Sequence, residues 1–438
     1  MNDLTRRGFF GLAGAAAAVG VGACAGGGGG TAASGAGGGA GGSANTISFW
    51  SNHPANGKAV EQKLSTAFEA ANPGIKVQLV DAGANYEELA QKFNAALAGG
   101  QLPDVVLGSD VTWFNLALNK QLEPLDAMLS TAKVDTSDYV KSLYDDYLFN
   151  GSHYALPYAR STPLFYYNKD LWSAAGLPDR GPKTWDEFKE WGPKLTKSLG
   201  SDKTPLIMAD GAHYLDWYFE NMVWSMGGTY SKDWTPTFSD PKTVAAGKFL
   251  QGLAQQKLVR FNKAPATDFG AGLSACMLES TGQVVNLAKV AKFPVGTSFL
   301  PTPDGTKACP TGGAGIAIPA KISAERKANA LKFITFITNP QSTITFTQAL
   351  GYMPVRTSAL DDASEKAYLK AHPNSQTAVN QLKVTRSQDR ARVFVPGGGA
   401  RIGAALDKIA QGADVTATFK ALDAATQQAY DTQVKPHL

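Results

Sequence analysis

Residues 46–107, TISFWSNHPANGKAVEQKLSTAFEAANPGIKVQLVDAGANYEELAQKFNAALAGGQLPDVVL, switch repeatedly between two hydrophobic periods. The run at 46–50 is β-branched and aromatic, which predicts a strand. Val60, Leu64, Ala67, Phe68 and Ala71 then recur at helical spacing until Asn72-Pro73-Gly74 stops them. Ile75, Val77 and Leu79 alternate as a second strand. Tyr86, Leu89, Phe93 and Leu97 mark a second helix, ended by Gly99-Gly100, and Val105-Val106-Leu107 reads as a buried third strand. Strands alternating with helices imply a parallel sheet covered by helices. Such a sheet takes its ligand at the carboxyl ends of its strands, which directs attention to the loops at 51–56, 83–86 and 108–112.

Outward from this stretch the same alternation continues. Two apolar-aromatic strands flank Ala159-Arg160-Ser161-Thr162-Pro163. Thr184-Trp185-Asp186-Glu187 has the form of a capping box, in which hydroxyl and carboxylate satisfy the free N–H groups of a new helix. Helices are expected over 213–226, 242–256 and 323–338, and strands over 293–300 and 313–318. The last ninety residues or so read as helical, broken by Val395-Pro396-Gly397-Gly398-Gly399-Ala400. The fold class is α/β. The span from 45 to 438 exceeds what one core serves well, so two lobes are expected.

The amino terminus is of another kind. Thr5-Arg6-Arg7-Gly8-Phe9-Phe10 is a twin-arginine signal, followed by an Ala/Gly-rich apolar run too short to span a bilayer. It closes on Val21-Gly22-Ala23-Cys24, which resembles a lipobox whose Cys becomes the lipidated mature terminus. Residues 1–24 are therefore read as a lipoprotein signal. Residues 25–44, almost entirely Gly, Ala, Ser and Thr, are read as a flexible tether. The expected location is outside the cytoplasm, lipid-anchored to the outer face of the cell membrane.

A net charge of +4 over 438 residues, with no Lys/Arg cluster, is no nucleic-acid signature. With Cys24 assigned to lipid, Cys276 and Cys309 remain as either a disulfide or two separate buried thiols. The sequence holds no G-x-S-x-G elbow, no P-loop and no zinc-ligand spacing. His53, His153, His213, His372 and His437 are scattered, and the acid pairs Asp145-Asp146 and Asp361-Asp362 are sequence neighbours that diverge on a helix. No enzyme, cofactor or metal is called for.

Binding chemistry is better supplied. Ser280-Thr281-Gly282 precedes the apolar run Val284, Val285 and Leu287, and hydroxyls with free N–H groups at a helix start suit an anion, although a plain cap is the commoner use. Arg401 follows the glycine run, where a guanidinium can pair bidentately with phosphate or carboxylate, or simply form a surface salt bridge. Tyr214, Trp217 and Tyr218 share one helical face.

Taken together, these residues resemble a family. Ser161-Thr162-Pro163-Leu164-Phe165-Tyr166-Tyr167-Asn168-Lys169-Asp170, Ala175-Gly176-Leu177 and Pro182-Lys183-Thr184-Trp185 are similar to family 1 extracellular solute-binding proteins of ABC importers. Leu102-Pro103-Asp104-Val105, Thr311-Gly312-Gly313-Ala314 and Gly351-Tyr352-Met353-Pro354-Val355 extend the resemblance along the mature chain. Within that family the chain most resembles the Ugp-type lipoproteins of mycobacteria and related actinobacteria, which take glycerol 3-phosphate or glycerophosphocholine.

The resemblance implies two α/β lobes, 45–158 with 298–349 and 159–297 with 350–438, closing about hinges on a ligand between them. It implies ligand contacts at Tyr86, Asp110, Ser161, Ser280, Gly313, Tyr352 and Arg401. In the glycerol-3-phosphate binder a Trp stands where this sequence offers His213, Tyr214 or Trp217, so Tyr214 and Trp217 join the candidates. A permease pair, a cytoplasmic ATPase and a monomeric binding subunit are implied as well. A sugar binder is the rival reading within the family, because aromatic platforms and carboxylates also suit sugar rings. A secreted hydrolase is the rival outside it.

Overall fold

The computed structural model describes residues 45–438. The twin-arginine stretch, the tether and Cys24 lie outside the described residues. Two five-stranded sheets organise the chain. Numbering their strands along the sequence, β1 is Thr46–Ser51, β2 Lys76–Asp81, β3 Val105–Ser109, β4 Leu156–Ser161, β5 Pro163–Asn168, β6 Thr204–Ala209, β7 Val259–Asn262, β8 Ser274–Ser280, β9 Val295–Ser298 and β10 Gly312–Ala317. The first sheet runs β2-β1-β3-β10-β4 and the second β7-β6-β8-β5-β9.

The two sheets share one plan. In each, three strands are parallel, β2, β1 and β3 in the first and β7, β6 and β8 in the second. A single antiparallel strand then follows, β10 or β5, and it arrives directly from the other sheet. The alternating elements expected over 46–107 are all present, with helices Lys58–Ala71 and Tyr86–Gly99 between the strands. Asn85 caps the second of these, its side chain accepting the Glu88 N–H at 2.8 Å.

Between the two apolar runs the structure departs from expectation. The segment read as a separator, 159–163, is strand almost throughout, and Thr162 alone stands between β4 and β5. Pro163 ends no strand here because it is the first residue of β5, where a missing N–H is tolerated. The buried side chain of Gln381 ties this crossing to the other one. Its Nε2 donates to Thr162 Oγ1 at 3.0 Å and to the Pro163 carbonyl at 2.6 Å, while its Oε1 accepts the Leu300 N–H at 2.8 Å. One amide thus pins both chain segments that run between the sheets.

The half-formed capping box at 184–187 also resolves. Thr184 Oγ1 accepts the Glu187 N–H at 3.2 Å, but the Glu187 carboxylate turns to Arg180 and the Lys183 N–H instead of to Thr184. Helices Leu215–Ser225, Pro241–Gln255 and Ala324–Ile337 match the expected spans within two residues. Beyond Leu350 the chain first packs on the first-sheet side, where Val140 donates to the Val355 carbonyl at 3.0 Å and the Arg356 guanidinium lies over the Tyr139 ring.

The apolar core has two parts. One runs from the first sheet through Leu164, Tyr166, Ile207 and Met277 on one face of the second. The other fills the opposite face of the second sheet around Trp172, Trp185, Phe188 and Phe219. Cys276 and Cys309 are separate buried thiols, the first donating to the Pro205 carbonyl, so no disulfide joins them. Among the described residues no helix is long and apolar enough to cross a membrane.

Candidate functional site

A cleft of about 590 Å³ opens between the loops at the strand ends, with Asn85, Glu87 and Thr112 on one wall and Tyr214, Asp216 and Arg392 on the other. Of the residues nominated from sequence Tyr214 lines it, and Tyr86 and Asp110 are next in sequence to the lining residues Asn85, Glu87 and Val111. Tyr86 is the first residue of its helix, and its phenol lies close enough to Tyr352 for each to influence the other's titration. Burial pushes the Tyr86 phenol well up, and Tyr352, Tyr214 and Asp110 beside it add to the shift. Tyr86 is therefore a neutral donor and acceptor. Ser280 ends β8, its Oγ accepting the Gly282 N–H at 3.1 Å, and a Cβ on Gly282 would meet the Tyr352 ring at 3.3 Å. The helix it precedes, Val284–Val290, has only seven residues.

β10 lies between β3 and β4, antiparallel to both. Gly313 has φ +98, and a Cβ there would lie 2.1 Å from the Ala159 carbonyl oxygen, so only glycine fits. Its own carbonyl accepts the Asp110 N–H at 2.9 Å, which fixes the start of the loop after β3. Ser161 sits across from Gly312 in the β4–β10 pairing and is buried.

Asp110 belongs to a charge network that sequence reading missed. Its Oδ2 accepts from Gln388 Nε2 and faces Arg392 Nη1 at 3.4 Å. Arg392 is 2% exposed in its side chain, and its Nε donates to Asp216 Oδ2 at 2.6 Å. Nη1 also donates to Gln388 Oε1. Nη2 has no protein partner among the described residues. Burial works against the guanidinium charge, but Asp216, Asp110 and Glu220 outweigh it and hold Arg392 protonated. Burial in turn pushes the Asp216 carboxyl up while Arg392 pulls it back.

The remaining nominees stand apart from this cluster in different ways. Trp217 is 7% exposed and donates from Nε1 to the Thr311 carbonyl at 3.0 Å. Tyr214, 37% exposed, lines the cleft and reaches Glu87 Oε2 at 3.4 Å. Arg401 donates from Nη1 to the Pro396 carbonyl at 2.6 Å, while its Nε and Nη2 are buried without partners. Burial lowers its pKa. The turn in front of it, 397–400, lines the cleft, but Arg401 itself makes no contact with Tyr86, Asp110 or Ser280.

A family model described as bacterial extracellular solute-binding protein matches residues 63–377, most of the chain. The protein is a bacterial extracellular solute-binding protein. This solute-binding protein is 49% identical to UgpB from Mycobacterium tuberculosis, whose crystal structure is in complex with glycerophosphocholine; the TM-score is 0.86, over 89% of this chain and 99% of that one. It is 27% identical over 358 residues to the sn-glycerol-3-phosphate-binding periplasmic protein UgpB of Salmonella typhimurium, covering 78% of this chain and 81% of the relative. Maltose-bound MalE3 of T. maritima shares the fold, with a TM-score of 0.75 at 21% identity, over 87% of this chain and 99% of that one. The two-lobed architecture of this solute-binding protein follows from these likenesses, as the resemblance had implied.

Proposed function

We propose that this solute-binding protein captures a glycerophosphodiester, glycerophosphocholine first among them, or sn-glycerol 3-phosphate, and hands it to the permease pair and ATPase of an ABC importer. The carrying observation is Arg392. It lines the cleft with Nη2 unspent, while its other donors are held by Asp216, Gln388 and Asp110. A fixed planar donor of this kind suits a phosphodiester oxygen. Arg401, behind the 397–400 turn, carries two further unpartnered N–H groups and adds positive field to the same wall. Tyr86, Ser161, Ser280 and Tyr352 supply hydroxyls for phosphate and glycerol, Gly313 lets the chain approach, and Asp110 can accept glycerol hydroxyls. The 49% identity to a glycerophosphocholine-bound UgpB supports the ligand class.

Closure is taken to move 45–158 with 298–349 against 159–297 with 350–438. Ligand stabilises the closed form only through contacts to both. The protein acts as a monomer tethered by lipid at Cys24. Cys24→Ala protein that stayed as firmly in the membrane fraction as wild type would count against the tether. Calorimetry with glycerol 3-phosphate, several glycerophosphodiesters, maltose and trehalose tests the ligand assignment. Binding of the glycerophospho compounds alone is expected, and binding of maltose or trehalose alone would overturn it in favour of a sugar importer.

A further inference from the structure

A small cavity of about 10 Å³ lies between Tyr158 of β4 and the helix Pro340–Leu350, and it shares no lining residue with the cleft. Ile337, Met353 and Val355 form its apolar part. Three hydroxyls line it as well, those of Tyr158, Thr343 and Thr347, residues that are 3%, 4% and 4% exposed. None of these three oxygens has a protein partner. The two threonines are four residues apart and so share one face of the helix. Thr345, which stands between them, donates its hydroxyl to the Gln341 carbonyl four residues back, at 3.0 Å. Thr343 and Thr347 make no such bond, although the same option is open to any helical threonine.

A buried hydroxyl without a partner is costly, and three around one space more so. A space of about 10 Å³ is near the least that admits one water molecule, and a buried water ordinarily makes about three hydrogen bonds. Each hydroxyl here can both donate and accept. Tyr158 stays neutral, because burial pushes its phenol well up and Glu61 and Tyr352 add to the shift. No carboxylate, ammonium or guanidinium lines the space, so its chemistry suits a neutral molecule rather than an ion. We propose that one buried water molecule, held by the hydroxyls of Tyr158, Thr343 and Thr347, joins β4 to the helix Pro340–Leu350. That helix carries Phe346, whose ring centroid lies 4.5 Å from that of Tyr158 and 5.5 Å from that of Tyr352. The water therefore fixes the support behind Tyr352, whichever solute the cleft takes.

Two measurements on the full chain test this. A crystal structure of the wild type, at a resolution that shows ordered water, should hold one peak within about 2.5–3.0 Å of all three hydroxyl oxygens. The second measurement is melting of Tyr158→Phe and Thr347→Val, each of which removes a hydroxyl and keeps the shape. The sign of the change separates the alternatives. With the water in place, each substitution removes a satisfied hydrogen bond and should lower the melting temperature by about 1–4 °C. In a dry cavity, each would remove an orphaned polar group and raise the melting temperature instead. A wild-type map without the peak overturns the proposal whatever the variants do. So does a map in which Thr343 and Thr347 have turned their hydroxyls to the carbonyls four residues back, or a rise in melting temperature for both variants. If a variant does not fold, the wild-type map alone decides.

Discussion

Trp217 closes directly over Gly312. The indole Nε1 donates to the neighbouring Thr311 carbonyl at 3.0 Å, and a Cβ built on Gly312 would stand 2.3 Å from Cζ2 of the ring. Trp217 belongs to the helix Leu215–Ser225 over the second sheet, whereas Gly312 opens β10 of the first. The contact is therefore one that depends on how the two halves meet. Gly312→Ala should force them apart at this point. Overpacking costs roughly 1–3 kcal/mol, here charged to the closed form, so affinity for glycerophosphocholine should fall by about five- to a hundredfold. Calorimetry measures this. An unchanged affinity would mean the indole gives way without consequence for closure.

The two arginines make separable predictions. Arg392→Ala removes a charge-assisted contact of roughly 1.5–3 kcal/mol and should weaken glycerol 3-phosphate and glycerophosphocholine alike, by about one to two powers of ten. Because Asp216 is then left without its partner, melting curves must establish that the variant is folded, and Arg392→Lys serves as a milder form. Arg401→Ala should weaken both ligands less, since Arg401 acts from behind the 397–400 turn. A larger loss in Arg401→Ala than in Arg392→Ala would exchange their roles.

Tyr214 is the exposed aromatic of the cleft wall. Cation–π contact contributes about 0.5–2 kcal/mol. Tyr214→Ala should therefore weaken glycerophosphocholine by about two- to thirtyfold while leaving glycerol 3-phosphate nearly untouched. Equal losses for the two ligands would assign Tyr214 to the glycerophosphate portion. Trp217→Ala is expected to affect both, because its ring is already engaged by Gly312.

Glu220 carries a pH prediction. It is fully buried, its Oε1 accepts the Asp389 N–H at 2.9 Å, and its Oε2 has no partner. Burial raises its pKa well above the ordinary carboxylate value of 4.5, and Asp389 raises it further. A carboxyl raised by folding favours the folded state at low pH, and that contribution is lost as pH rises from 4.5 through the folded value. Glu220→Gln should accordingly raise the melting temperature at pH 8 more than at pH 5. Melting scans over that range check it, and a gain that shrinks with rising pH would contradict the assignment.

How far the sequence could carry these conclusions differs from residue to residue. The βαβ plan of 46–107 was legible because each period was strong and each helix bounded by Asn, Pro or Gly. The crossing at Thr162 was not. Pro163 reads locally as a breaker, and only its place as first residue of β5 makes it compatible with a strand. Tyr86, Asp110, Ser280 and Tyr352 could be nominated because each sits at a strand or helix end within a family motif. Arg392 escaped notice for a physical reason. It lies in an unremarkable Asp-Arg-Ala-Arg run, and its significance comes from Asp110 and Asp216, partners remote in sequence.

The late return of β10 to the first sheet also governs how the chain can be made. β3 ends at Ser109, but its neighbour β10 begins only at Gly312. During synthesis the emerging amino-terminal half therefore carries an open strand edge until nearly three quarters of the chain has left the ribosome. Such edges invite aggregation and slow, non-local closure. The first sheet cannot be completed on its own, because β10 is made only after the whole of the second sheet, β5 to β9, has been made. Nascent chains stalled before Gly312 should be chaperone-bound, and the protein should acquire its binding competence in one late step.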